Sequence, residues 1–363
     1  MGNFGLDWSR IHQKESSGIF SFLLAALSSI YGVGVRLRLQ AYRAGVFKRQ
    51  SLPGFVVSIG NLTVGGTGKT PAAIMLAKWA LKEGFRVALL SRGYGGRYKK
   101  KFLEVSDGKR IKADSRSAGD EPYLLAKKIS GVPVVISEKR YAAGMFAYEK
   151  FGCDFFILDD GFQHLELRRD LDLVLVDAER PFGNGHLLPR GPLREPVEQL
   201  ARADACIITR CGDQGSGDNV KNYLMNKSIE TLFLKANHLP KKVELPFLDE
   251  IHGPGILDGK KIVAFAGIAR PNVFKQTLVE MGADIVYFRG FKDHYTYKKN
   301  EIRNLIHMKE KLEAHYLITT EKDWVRIASV APAYKDMAYL CIEFELLSDG
   351  DSFFRMIRDG IKR

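Results

Sequence analysis

The stretch "NLTVGGTGKTP" (61–71) decides how this chain is read. It is a glycine-rich run closing on Gly68, Lys69 and Thr70. That is close to the phosphate-loop signature G-x-x-x-x-G-K-[ST], although Thr63 stands where the first glycine belongs. The apolar run "FVVSI" (55–59) precedes it, and Pro71 opens a helix-like stretch to about Glu83. Proline suits a first helical turn because its missing N–H would have no partner there. Strand, loop and helix in that order are the context a phosphate loop requires. The backbone N–H groups of Gly65, Gly66, Thr67 and Gly68 then curl around phosphate oxygens, helped by the partial positive charge of the helix N-terminus. Lys69 is placed to reach the β- and γ-phosphates and Thr70 to ligate Mg²⁺. The loop predicts nucleotide binding.

Outward from the loop, apolar runs alternate with helical patterns. Strands are predicted at "VALLS" (87–91), "VPVVI" (132–136), "FFILD" (155–159), "LVLVD" (173–177) and "ACIIT" (205–209). Helices fall between some of them, notably "GDEPYLLAKKI" and "KRYAAGMFAYEKF". Nearly continuous apolar strands with helical crossovers imply a parallel sheet covered on both faces. From about 210 to 255 the composition turns polar, with one strand at "ETLFLKA". A second alternating block then runs from "KIVAFAG" to "DSFFRMIRDGIKR". The expected fold is α/β: a P-loop NTPase-like parallel-sheet domain, a second, smaller α/β domain, and an N-terminal apolar helix. The expected bounds are 1–50 for the helix and its basic flank, 51–228 for the P-loop domain, 229–258 for a linker region with a strand, and 259–363 for the C-terminal domain.

The chain has 363 residues, 45% of them hydrophobic and 11% aromatic, enough for two buried cores. Its formal charge of +13 points to an acidic partner: nucleic acid, anionic lipid or a phosphorylated substrate. The densest basic patch, "RYKKKF" (97–102), reads as a solvated loop. Four cysteines show no C-x-x-C spacing, which favours buried thiols in a reducing compartment over a disulfide framework. At the N-terminus an apolar run from Ile19 to Val35 is followed by Arg36, Arg38, Arg43, Lys48 and Arg49. An anionic leaflet attracts basic residues so placed. An interfacial or anchoring helix, a buried docking helix and a true span all satisfy this pattern.

Further along, "FFILDDGFQH" (155–164) ends an apolar strand in Asp159 and Asp160. An Asp at the end of a strand near the phosphate loop holds Mg²⁺ in such enzymes, and adjacent carboxylates favour a site with a cation. In "SAGDEP" (117–122), Asp120 is either a helix N-cap or a base for an acceptor hydroxyl. In "FKDHYTY" (291–297), His294 is either a surface histidine or a group that tunes a carboxylate. "SRGYGGR" (91–97), "FGNGHLLPRGPLREP" (182–196) and "TTEKDWVR" (319–326) are too particular for plain surface, and arginines such as Arg190 and Arg194 suit phosphate.

Taken in order, "GNLTVGGTGKTP", "SRGYGG", "AGDEP", "DDGFQH", "LLPRGPLREP", "FAGIARP", "FKDHYTY" and "TEKDW" span nearly the whole chain. This set resembles the tetraacyldisaccharide 4′-kinase family of lipid A biosynthesis in Gram-negative bacteria. The resemblance implies an ATP- and Mg²⁺-dependent kinase acting on the 4′-hydroxyl of a lipid-linked disaccharide 1-phosphate at the cytoplasmic face of the inner membrane. It implies no nucleic acid and no protein partner. By the same resemblance Lys69 and Thr70 serve the donor phosphates and metal, and Asp159, Asp160 and Glu121 the metal. Asp120 and His294 would form a catalytic dyad across the domain cleft, with closure on ligand binding. Tyr94, Arg140, Arg194 and Glu195 would contact substrate or nucleotide. The Thr63 departure is shared by the family's own loop.

The rival reading is a membrane-associated ATPase or GTPase switch of the deviant-Walker type. Such switches carry a second lysine just before the glycine pair, where this chain has Val64. A nucleic-acid-dependent ATPase rests on basic charge alone and lacks any reader motif.

Overall fold

The computed structural model describes residues 12, 19–98, 101–211, 215–347 and 349–362. Lys99 and Lys100 of the basic patch lie outside the described residues. Two compact units divide the chain: Met1–Arg92 with Ser137–Asn237 and Leu346–Arg363, and Gly93–Ile136 with His238–Glu345. The expected bounds put 93–136 in the first domain and 346–363 in the second. The compact units assign both stretches the other way, because side chains far apart in sequence hold them.

The first unit opens with α1 (Ile19–Arg43), a 25-residue helix. There follow β1 (Phe55–Gly60), α2 (Lys69–Lys82) and β2 (Val87–Ser91). The second unit takes β3 (Leu103–Asp107), the short α3 (Ser115–Ala118), α4 (Asp120–Lys128) and β4 (Pro133–Ile136). The chain returns to the first unit with α5 (Arg140–Phe151), β5 (Phe155–Asp159), β6 (Leu171–Asp177), β7 (Ala205–Thr209) and α6 (Ser216–Asn226). Strand β8 (Leu232–Leu245) begins there and continues into the second unit. The rest of the second unit comprises β9 (Glu250–His252), β10 (Lys261–Ala266), α7 (Pro271–Glu280), β11 (Asp284–Gly290), α8 (Lys299–Lys311), β12 (Tyr316–Thr320), α9 (Glu321–Ile327) and β13 (Met337–Leu346). The last helix, α10 (Gly350–Ile361), belongs to the first unit.

In the first unit every described strand pair is parallel, in the order β8-β7-β6-β1-β5-β2. The strands are apolar on both faces, as a sheet flanked by helices on both sides requires. One face packs Val174, Val176, Cys206 and Ile208 against Phe162, Leu193, Leu200 and Leu224. Helix α10 is held to α2 by stacking of Phe354 on Trp79 at 4.9 Å and by Arg358 on Glu83 at 2.7 Å. That explains why the C-terminal segment joins the first unit.

The second unit has the parallel order β11-β10-β12-β13, with β3–β4 and the distal part of β8 with β9 antiparallel. Period-two alternation along β10 sends Ile262, Ala264 and Ala266 to a core with Phe274 and Leu278 of α7. Val263 and Phe265 face Ile302, Leu305, Trp324 and Ile327 of α8 and α9. The polar stretch read as a linker contains helix α6 and a 14-residue strand as well. Its half-buried, one-sided pattern hid the strand beyond "ETLFLKA". Helix α9 is another addition, capped by Thr320 Oγ1, which accepts from the Asp323 N–H at 3.0 Å.

Candidate functional site

In the first unit the loop between β1 and α2 takes the conformation its glycines allow. Gly65 (φ 117°) and Gly68 (φ 93°) lie in the left-handed region, where a Cβ would be strained. They turn the chain so that α2 begins at Lys69, its N-terminal amides facing the loop. Thr67 and Thr70 are buried. Val64 donates its N–H to Pro192 O at 2.8 Å, and Arg194 donates its own to Leu62 O at 2.7 Å. The segment 192–194 thus laces the loop from outside.

Lys69 Nζ donates to Asn61 Oδ1 at 3.2 Å and lies 3.5 Å from Asp160 Oδ1. Asp159 ends β5 directly beside Ile59 of β1, and Asp160 follows in the left-handed region (φ 55°), turning its carboxylate toward the loop lysine. Arg194 Nη1 holds both oxygens of Asp160 at 2.9 Å. Burial alone would raise the Asp160 carboxyl, but Lys69 and Arg194 outweigh it and keep it below the ordinary carboxylate value. Among the described residues no three His, Cys, Asp or Glu side chains cluster as a metal cage. An oxygen-only set of one hydroxyl and one or two carboxylates, as Thr70, Asp159 and Asp160 provide, suits a cation that completes its shell with water and phosphate.

Sequence reasoning missed the supports of this loop. Arg210, just after β7, donates Nη2 to Gly66 O at 2.9 Å and pairs with Asp177. Thr209 Oγ1 donates to Thr67 O at 3.3 Å. Both sit at the C-terminal end of a parallel strand, where α/β sheets gather functional groups, and that was the available signal. Arg140 is buried and donates Nη1 to Ser137 O and Glu138 O. Glu195 is buried in an ion pair with Arg202, whose guanidinium lies over Phe162 at 4.3 Å.

The second unit brings together Asp120, His294 and Tyr94. The expected dyad across two domains is therefore a cluster inside one unit. Gly119, at φ 90° and ψ 158°, precedes α4 in a region open essentially to glycine alone, and sets Asp120 in the first helical turn. Asp120 Oδ2 lies 3.4 Å from His294 Nδ1 and accepts from Arg326 Nε at 2.6 Å. Burial would raise the Asp120 carboxyl; the Arg326 guanidinium beside it outweighs that and leaves it lowered. Tyr94, largely exposed, places its ring 6.0 Å from that of His294. Glu121 is held by Lys322 at 2.8 Å. The arrangement offers an ionised carboxylate, a group able to take a proton from a bound hydroxyl, with an exposed aromatic ring near His294.

Along α1 the polarity is inverted relative to a soluble amphipathic helix. Ser21, Leu24, Ser28, Gly32 and Leu39 face the protein. Phe22, Leu23, Leu27, Ile30, Val33 and Leu37 are exposed. Polar bonds tie the inner face down: Ser28 Oγ donates to Leu187 O at 2.8 Å, Tyr31 OH to Arg194 O at 2.9 Å and Arg38 Nη2 to Gln163 O at 3.0 Å. By length and composition Ser21–Arg43 is long and apolar enough to cross a membrane.

The family model described as tetraacyldisaccharide-1-P 4′-kinase matches residues 20–362. A "tetraacyldisaccharide 4′-kinase" of Geobacter metallireducens is 44% identical over 308 residues, covering 85% of this chain and 89% of the relative. One of Syntrophus aciditrophicus is 38% identical over 349 residues, 93% of each. The crystal structure of "apo" form LpxK from Aquifex aeolicus in complex with ATP is 31% identical, with a TM-score of 0.73. That match covers 94% of this chain and all of the other.

Proposed function

This chain belongs to the tetraacyldisaccharide-1-phosphate 4′-kinase family, and on that premise we propose that it transfers the γ-phosphoryl group of ATP to the 4′-hydroxyl of a lipid-linked disaccharide 1-phosphate. The observation that carries the reading is the loop at 61–71, with left-handed Gly65 and Gly68 and with Lys69 beside Asp160 at the end of β5. A switch ATPase is disfavoured by the family match and by Val64 in place of the second lysine.

Phosphoryl transfer is mostly positioning and charge neutralisation. The amides of 65–70 cradle the donor phosphates, and Lys69 draws charge from the oxygens of the group in flight. Thr70 with Asp159 and Asp160 would hold Mg²⁺, which would supply charge neutralisation to the donor phosphates. Asp120 accepts the proton of the attacking hydroxyl. Its lowered carboxyl is ionised at neutral pH, so placement rather than basicity does most of its work. Tyr94 offers an exposed ring to the sugar, and Arg194 orients Asp160. Arg140 and Glu195 contribute by fixing the backbone and arginine they touch.

The exposed apolar face of α1 and its basic flank suit the cytoplasmic face of the inner membrane, where acyl chains and headgroups present the acceptor. The test is transfer of label from γ-labelled ATP to a lipid-linked disaccharide monophosphate in detergent micelles. Hydrolysis of ATP without labelled lipid refutes the kinase. Asp120→Ala is expected to lower turnover about a hundredfold or more, the scale of a lost general base.

A further inference from the structure

We propose that Arg326, and not a direct hydrogen bond between Asp120 and His294, holds that pair in place: its guanidinium clasps both and fixes His294 as the neutral ring protonated on Nε2. Arg326 thereby becomes a positioning residue for the reaction. The inference rests on the reading of Asp120 as the base.

The guanidinium is nearly buried, with its side chain 5% exposed. Its Nε donates to Asp120 Oδ2 at 2.6 Å. Its Nη1 donates to Gly267 O at 2.6 Å and to Asp323 Oδ1 at 3.0 Å. Its Nη2 faces His294 Nδ1 at 3.2 Å. Arginine carries only donors and stays charged in proteins. A ring nitrogen facing one of its N–H groups at hydrogen-bond distance is therefore an acceptor, and an accepting Nδ1 carries no proton. The longer 3.4 Å approach of Nδ1 to Asp120 Oδ2 is then two acceptors meeting around a shared donor. The proton sits on Nε2, which lies 4.0 Å from Asp293 Oδ1, beyond hydrogen-bond reach, and so can donate to a ligand. Asp120 Oδ1 accepts no hydrogen bond among the described residues and remains for the substrate hydroxyl.

The fork is itself held rigidly. Asp323 is fully buried, and its four acceptor sites are filled by Tyr297 OH (2.9 Å), Arg326 Nη1, the Gly267 N–H (3.0 Å) and Thr320 Oγ1 (2.7 Å). The planar fork matches four differently oriented acceptors at once, which a lysine ammonium cannot do.

The test has two arms. In protein labelled with ¹⁵N-histidine, with the His294 signals identified by their loss in His294→Gln, the wild type is expected to show an unprotonated Nδ1 and a protonated Nε2. A wild-type ring protonated on Nδ1 overturns the proposal without touching the kinase reading. In the second arm, Arg326→Lys and Arg326→Gln are assayed for transfer, with circular dichroism reporting folding. A folded variant is expected to lose about a hundredfold in kcat, the scale of a misplaced reacting group, with KM for ATP within about twofold. A folded Arg326→Gln with wild-type kcat refutes the proposal. Absence of transfer in the wild type, with the expected tautomer present, sinks the kinase reading and leaves the clasp standing.

Discussion

Replacing Leu27 and Ile30 together by serine separates the membrane role of α1 from its structural role. The two side chains are 52% and 70% exposed in the folded chain, so their removal leaves the packing of the first unit intact. Together they present about 1.2 fully exposed apolar side chains. At roughly 1.5–3 kcal/mol for burying one, their transfer into a bilayer is worth about 1.8–3.6 kcal/mol, or roughly 20- to 400-fold in partitioning. The basic flank adds an attraction of about 1 kcal/mol per residue near an anionic surface, and salt screens it. Sedimentation with anionic vesicles at low and high salt therefore distinguishes the two contributions. The double variant is expected to bind more weakly by that factor at both salt concentrations, with melting temperature unchanged. Partitioning within threefold of wild type, in a folded variant, refutes the argument and leaves the exposed face unexplained.

Three further outcomes follow from the geometry. Gly119→Ala forces a side chain into a region open essentially to glycine and sets its Cβ 2.6 Å from Tyr94 O; we expect a loss of about 2–4 kcal/mol in stability and a fall in kcat, read by thermal melting and the transfer assay. Arg210→Met removes the bond to Gly66 O and the ion pair of buried Asp177; a fluorescent ATP analogue is expected to bind about tenfold more weakly, and unchanged affinity refutes the supporting role. The lowered Asp160 carboxyl contributes stability that is fully present above its unfolded value near pH 4 and is lost as pH falls through the folded value. Melting of nucleotide-free protein should thus drop on acidification below about pH 4, and Asp160→Asn should flatten that limb.

Much of the first unit was legible because its signals are local. A period of two or 3.6 residues marks each strand or helix, and the loop at 61–71 declares itself through glycines whose backbone conformation few other residues adopt. Lys69 and Asp160 meet because the loop after β1 and the turn after β5 leave the same end of two parallel strands that pair with each other. The loop and the aspartates were legible as local patterns; the pairing of β1 with β5 was not. The same locality hid Arg326. Its stretch, "TTEKDWVR", stood out as too particular for plain surface, yet nothing in its period names a partner 206 residues away.

By itself, then, the amino-acid sequence determined the α/β class, the phosphate loop, the apolar N-terminal helix and the identity of the chemical groups. Only the tertiary structure decided which groups share a unit. It placed 93–136 with the second unit through Lys128 on Glu321, Lys322 on Glu121 and Arg326 on Asp120. It also decided which face of α1 looks outward, since Leu24, Ser28 and Gly32 pack inward while Leu27, Ile30 and Val33 do not. The reason is common to both: such choices are made by contacts between residues far apart in the chain, and a periodic pattern carries no information about them.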